Sequence, residues 1–303
     1  MIALIHNDMP SEDNPEIEPA AGPLSPSRTR KLLQTLEHRP RKALGQNFLI
    51  DGNIVRKSLQ RGEVGEGDRV VEVGPGLGTL TTALLQSGAE VYAVERDPRL
   101  ANWLRTDLRP RYPERLHLHE GDALDEPLAG YPVDRGPFKI IANLPYAIST
   151  PWLERVLHGP LLPTRMVLML QRETAARFLA EAGTKHFGAI RIFLESTYQL
   201  QAFEAVAARC FYPVPEVDSV LLSLIRLETP YIFPAPLRQV IRAVFTQRRK
   251  QLGKVLRQAA PDLDLTGWEN VLRQAGYSLQ SRAEAIPTPL WQEMGEGELR
   301  IKS

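Results

Sequence analysis

The sequence predicts an α/β fold, a mostly parallel sheet with helices on both faces, followed by a small C-terminal all-helical domain. Three observations carry this expectation. From about residue 68, short β-rich runs alternate with segments of helical period. The first run ends in a glycine-rich loop that opens a helix, Gly74-Pro75-Gly76-Leu77-Gly78. Past Pro230 no convincing strand remains, and apolar residues recur at helical spacing.

Residues 1–27 read as a disordered tail. Pro10, Pro15, Pro19, Pro23 and Pro26 interrupt it, and its apolar surface is too small to offset ordering entropy. Residues 28–229 form the predicted sheet domain. Strands are expected at 69–74, 90–95, 116–122, 138–143, 165–170, 199–207 and 219–227, the first marked by Val70, Val71 and Val73. Helices are expected at 77–87, 98–109, 150–158, 174–181 and 189–198, and Pro98 suits a helix start. In such sheets a ligand sits outside the carboxyl ends of the strands, at the topological switch point. Residues 230–303 form the predicted helical domain. Ile241, Val244, Phe245, Leu252, Val255 and Leu256 make its main stripe, with shorter helices at 268–275 and 289–294. No internal repeat is found.

Composition narrows the class. The chain has 303 residues, 43% hydrophobic and 24% charged, which is globular and excludes a collagen-like or wholly disordered chain. A single cysteine, Cys210, rules out an internal disulfide, so nothing asks for an oxidising compartment. No apolar run reaches the roughly 18 residues of a membrane span. The opening Met-Ile-Ala-Leu-Ile turns acidic and lacks the basic start of a signal peptide. A cytoplasmic protein is expected. Without a heptad or an exposed apolar stripe, a monomer is expected too. Residues 1–20 hold five acids and no Lys or Arg, so the net charge of +1 becomes +6 on the remainder. The densest basic run, 237–257, holds Arg238, Arg242, Arg248, Arg249, Lys250, Lys254 and Arg257 and no acid. It reads either as the solvated face of an amphipathic helix or as a polyanion surface.

The glycine loop decides between cofactors. Dinucleotide folds use G-x-G-x-x-G. Here the spacing is G-x-G-x-G from Gly74 through Gly76, with Pro75 between them, the usual pattern of S-adenosylmethionine-dependent methyltransferases. The second strand ends in Glu95, whose carboxylate can accept from both hydroxyls of a ribose. Asp122 ends the third strand and can accept from an adenine amino group. Gly74, Glu95 and Asp122 at three successive strand ends favour an adenosine-bearing ligand.

The fourth strand ends Asn143-Leu144-Pro145-Tyr146, of the pattern that marks methyltransferases acting on exocyclic amines of adenine or cytosine. Such an amine is a poor nucleophile because its lone pair is delocalised into the ring. The Asn143 oxygen and a backbone carbonyl near Leu144 or Pro145 can accept its two N–H groups and aim the lone pair at the methyl carbon. Tyr146 offers a face for an extruded base. No general base needs to touch the nitrogen before attack. The plainer alternative is an Asn-Pro turn closing a strand.

With Gly45-Gln46-Asn47-Phe48-Leu49-Ile50-Asp51, Phe211–Ser219 and Phe245–Lys250 in the expected order, the chain resembles the small-subunit ribosomal RNA adenine dimethyltransferases. The resemblance spans residues 28–303. It implies a Rossmann-like S-adenosylmethionine-dependent sheet and dimethylation of two adjacent adenosines in the 3'-terminal hairpin loop of 16S rRNA. It implies cofactor contacts from Asn47, Leu49, Gly74, Glu95, Asp122 and Asn143, with 46–51 folding over the cofactor. Without it, 46–51 reads as a polar helix entry. It implies that Phe211 stacks on the target base opposite Tyr146; otherwise Phe211 reads as a core side chain. It places Arg248, Arg249 and Lys250 on RNA in the 30S subunit or its precursor. Three positions depart from the usual pattern: Glu216 where lysine is common, Lys42-Ala43-Leu44 before Gly45, and Gly253 where a larger polar residue is common. Alternatives are a 23S rRNA adenine methyltransferase of the macrolide-resistance type and a noncatalytic RNA-binding relative. His117 and His119 are too few for a metal site, and none is expected. Cys210 reads as a small buried residue.

Overall fold

The computed structural model describes residues 24–261, 263 and 265–296; most of the expected tail, and residues 297–303, lie outside the described residues. The first helix, α1 (Pro26–Thr35), begins inside the span expected to be tail. Ser25 caps it, its side chain accepting from the Arg28 N–H at 3.3 Å. Pro26 stands in the first turn, where a missing N–H costs nothing, so this proline starts a helix rather than interrupting one. Leu24, Leu32 and Leu33 bury against Phe48, Leu77 and Leu100.

A two-residue strand follows, β1 (Phe48–Leu49), and then α2 (Gly52–Gly62). Asp51 caps α2 by accepting from the Asn53 and Ile54 amides at 2.8 and 3.3 Å, so 46–51 is a helix entry whose first part, 46–49, also lines a cavity. The sheet and its helices then run β2 (Arg69–Val73), α3 (Thr79–Gln86), β3 (Glu90–Glu95), α4 (Pro98–Trp103), β4 (Leu116–Glu120), β5 (Lys139–Asn143), α5 (Ser149–Leu157), β6 (Arg165–Gln171), α6 (Arg172–Phe178), α7 (Ala189–Glu195), β7 (Tyr198–Val206), β8 (Phe211–Tyr212) and β9 (Ser219–Arg226).

Among the described residues the main sheet has seven strands in the order β4-β3-β2-β5-β6-β9-β7. β9 is antiparallel to both neighbours and the other strands run parallel. After β4 the chain returns to the far side of β2 to lay down β5. The switch point therefore falls between β2 and β5, where a crevice must open. β1 and β8 form a separate antiparallel pair, with Leu49 opposite Phe211.

Alternation along the strands builds two cores. Val70, Val91, Ile141 and Val167 pack with Leu84, Leu85 and Leu104 on one face. Val71, Tyr92, Ile140, Leu168 and Leu222 pack with Trp152 and Phe193 on the other. This second core continues into the C-terminal helices α8 (Ala235–Thr246), α9 (Leu252–Ala259), α10 (Thr266–Gln274) and α11 (Thr288–Glu296), through Leu237, Ile241, Leu252, Trp268 and Trp291. The C-terminal part is helical as expected, yet its interior is one with the sheet's. Trp291 has no exposed surface, and truncating it to alanine costs on the order of 3–5 kcal/mol. The stripe from Ile241 to Leu256 belongs to two helices, not one, broken at 247–251. Gly253 sits where a Cβ would come within 2.8 Å of Leu279 Cβ, so only glycine admits this close approach.

Candidate active site

The carboxyl ends of β2, β3, β4 and β5 surround one cavity, roofed by residues 43–49. Gly74 and Gly76 form its floor at φ +68° and +59°, in the left-handed region that favours glycine. A Cβ on Gly76 would lie 3.1 Å from the Phe48 ring, and one on Gly74 3.4 Å from Pro145. Glu95 is almost fully buried at the end of β3. Its Oε2 accepts from the Gly76 amide at 2.9 Å and its Oε1 from the Asp97 amide at 2.8 Å. Burial pushes the Glu95 carboxyl above its ordinary value, while those two amides pull it back. Asp122 accepts from the Leu124 amide at 2.8 Å and pairs with Arg96 at 3.1 Å.

Asn143 closes β5. Its Nδ2 donates to the Asn47 carbonyl at 3.0 Å, which leaves Oδ1 as the end available to an incoming N–H. Leu144 is buried and its amide donates to the Met169 carbonyl at 3.3 Å, so the loop leaves the sheet at a fixed angle. The Pro145 carbonyl already accepts from the Ile148 amide and from Ser149 Oγ, each at 3.2 Å. Tyr146 is half-buried on the cavity wall. The expected cofactor set of Asn47, Leu49, Gly74, Gly76, Glu95, Asp122 and Asn143, and the acceptor loop Leu144, Pro145 and Tyr146, thus line one cavity.

Two expected site residues stand elsewhere. Phe211 does not line the cavity. It has no exposed surface and packs with Leu49, Val206, Cys210 and Leu221, which is the core reading of this residue. The β1–β8 ladder, which sets Phe211 opposite Leu49, draws it inward. Arg248 is not free to face a polyanion: it pairs with Glu284 at 2.9 Å. Arg242 likewise pairs with Glu154 at 2.8 Å. Arg249, Lys250, Lys254 and Arg257 are exposed. Glu216 pairs with Lys42 at 2.8 Å, both exposed, so two departures from the family pattern meet each other. His117 stacks on Tyr92 and bonds to Glu90 at 2.9 Å. Among the described residues no group of three or more His, Cys, Asp or Glu is placed to hold a metal.

Several site features escaped the sequence. Gln46 Nε2 donates to the fully buried Asp97 at 3.0 Å, and Gln46 Oε1 accepts from the Arg41 amide at 2.8 Å. This clasp holds the roof to the loop after β3. The Asp97-Pro98 pair signals a helix cap, which Asp97 is, but nothing local signals Gln46. Glu72 lies under the cavity floor with Oε2 buried and without a hydrogen-bond partner. Burial pushes its carboxyl up to about 8, with the Thr81 hydroxyl offsetting part and nearby Glu95 adding to it.

These residues fit S-adenosylmethionine. The glycine floor admits close approach, Glu95 and Asp122 present acceptors at adjacent strand ends, and the Glu72 carboxyl has an oxygen without a partner beneath. The family model described as ribosomal RNA adenine dimethylase matches residues 37–280. A ribosomal RNA small subunit methyltransferase A from Opitutus terrae is 54% identical over 273 residues, covering 90% of this chain and 98% of that protein. One of the same name from Phenylobacterium zucineum is 39% identical, covering 82% and 84%. Among solved structures, a dimethyladenosine transferase from Plasmodium falciparum shares the fold at TM-score 0.65 and 23% identity, covering 82% of this chain and 95% of that one. The 23S rRNA methyltransferase ErmE does so at TM-score 0.60 and 24% identity, covering 82% and 98%. A cavity shaped for an adenosine-bearing methyl donor and a match across most of the length agree: this chain belongs to the ribosomal RNA adenine dimethylase family, and it is an S-adenosylmethionine-dependent methyltransferase.

Proposed function

We propose that the protein dimethylates N6 of two adjacent adenosines in the 3'-terminal hairpin loop of 16S rRNA, acting on the small subunit or its precursor. The observation that carries this is the Asn143 amide. Its nitrogen is committed to Asn47, so its oxygen points the other way, as an acceptor for an exocyclic N–H. The Pro145 carbonyl is already occupied, which makes the Leu144 carbonyl the second acceptor. Two acceptors on one amine draw its lone pair out of conjugation, and Tyr146 holds the ring by stacking. S-adenosylmethionine, held by Gly74, Gly76, Glu95 and Asp122, supplies the electrophilic methyl group. The roof of residues 43–49 shields the reacting nitrogen from water.

The names of the relatives support the small-subunit substrate over the 23S alternative. Intact Asn143, Pro145 and Tyr146 speak against a noncatalytic relative. We place Arg249, Lys250, Lys254 and Arg257 on the RNA backbone, with Arg248 bracing the turn that carries them. A cytoplasmic monomer fits this work: large exposed apolar residues are scattered over β7 and several loops, and no described helix is long and apolar enough to cross a membrane. The test is methyl transfer from tritiated cofactor to under-methylated 30S particles, free 16S rRNA and free 23S rRNA. Label confined to 23S rRNA overturns the reading.

A further inference from the structure

We propose that Ser219 is a positioning residue for Tyr146, and that the motif from Phe211 to Ser219 acts on the target base through this hydroxyl. The proposal rests on the methyl-transfer reading above. The Tyr146 hydroxyl and Ser219 Oγ lie 2.8 Å apart, across 73 positions of sequence. Ser219 has no exposed surface and opens β9, where one ladder sets it opposite Gln171 and another opposite Val206. Its oxygen is therefore fixed by backbone on both sides. Tyr146 begins the short 3-10 turn Tyr146–Ile148, so its other end is fixed by the loop that carries Asn143 and Pro145. The phenol oxygen lies on the long axis of the ring. Pinning both ends of that axis fixes where the ring sits and how its long axis is inclined, while leaving its face to a base.

The physical effect is preorganisation. A tyrosine that must stack on an extruded adenine otherwise loses rotamer freedom when the base arrives. Here the swing of the side chain between rotamers is already gone. The adenine amine must also meet the Asn143 oxygen, so a tilt of the ring carries the nitrogen off the line of attack. A hydroxyl acting this way changes the chemical step and not cofactor affinity.

The test compares wild type, Ser219→Ala, Tyr146→Phe and the double variant on under-methylated 30S particles, with cofactor affinity by calorimetry and melting temperature for each. Tyr146→Phe keeps the ring and removes only the hydroxyl, so it carries the test if Ser219→Ala folds poorly. Each single variant should lose roughly tenfold in kcat, with KM for 30S and cofactor affinity unchanged. The double variant should be no slower than the worse single, because both remove one bond. Wild-type kcat in either single variant, or losses that multiply in the double, overturns the proposal. A lowered melting temperature with unchanged turnover per folded molecule also overturns it. Wild-type protein that labels neither 30S nor 16S rRNA overturns the underlying reading instead.

Discussion

Asn143 and Asn47 are joined by a hydrogen bond of 3.0 Å that runs from the end of β5 to the roof of the cavity. The donor is the Asn143 side chain and the acceptor a backbone carbonyl. One contact therefore orients the Asn143 amide and ties the end of β5 to the cavity roof.

Asn143→Ala should lower kcat by roughly 10²–10³, the range for losing one aligned polar group in an active site. Cofactor affinity should fall much less. Single-turnover methyl transfer on under-methylated 30S, with calorimetry on the same preparation, measures both. Near wild-type turnover would remove Asn143 from the chemistry.

Glu95→Gln should weaken S-adenosylmethionine binding about tenfold or more and lower stability modestly. The carboxylate holds the Gly76 and Asp97 amides besides facing the cavity, and hydrogen bonds to charged groups are worth about 1.5–3 kcal/mol. Calorimetry and a thermal melt separate the effects. Unchanged affinity would show that the ribose does not meet this residue.

One buried and one half-buried group should bend the stability profile in opposite directions. Glu72 stays protonated in the fold up to about 8 but ionises near 4.5 when unfolded, so its contribution is lost as pH rises through that window. Burial, then Arg238 and Arg242, holds His158 down to about 4 against 6.5 unfolded, so its contribution is lost as pH falls through that window. Glu72→Gln should flatten the alkaline limb of melting temperature against pH, and His158→Asn the acidic limb. Parallel curves for variant and wild type would refute the assignment.

The basic run should split by partner. Replacing Arg249 and Lys250 with glutamine should weaken 30S binding and reduce the log–log salt slope by roughly 0.7–0.9 per lost phosphate contact. Arg248→Gln should leave that slope unchanged and lower the melting temperature, because it breaks the bond to Glu284. Filter binding at several salt concentrations distinguishes them. A slope that falls with Arg248 alone would put that residue on RNA.

Much of this site is legible in the sequence because it lies at strand ends. Gly74, Glu95 and Asn143 each follow a β-branched or apolar run, Asp122 follows the alternating Leu116–Glu120, and the parallel order brings such ends together. The strands themselves show in the same alternation; β3 occupies the expected residues, 90–95. What stayed hidden depends on partners far along the chain. Phe211 reads as a stacking face in its motif, and its core position shows only when Leu49 is seen opposite it. The 237–257 run holds no acid of its own, yet Glu154 and Glu284 reach it from other elements. α1 stayed hidden behind Pro26, which punctuates a tail and starts a helix with the same ring. The antiparallel insertion of β9 has no signature in its own residues.

That insertion sets an order of assembly. β7 stands at the margin of the sheet and has β9 as its sole sheet neighbour, although β9 comes later in the chain. During synthesis β7 emerges with nothing to pair with, and β6 waits with one side open. The strand that fills the gap begins with Ser219, the residue bonded to Tyr146. The roof of the cavity, through Leu49 and Phe211, and the acceptor loop, through Tyr146 and Ser219, thus both lean on the stretch of chain from 211 to 219.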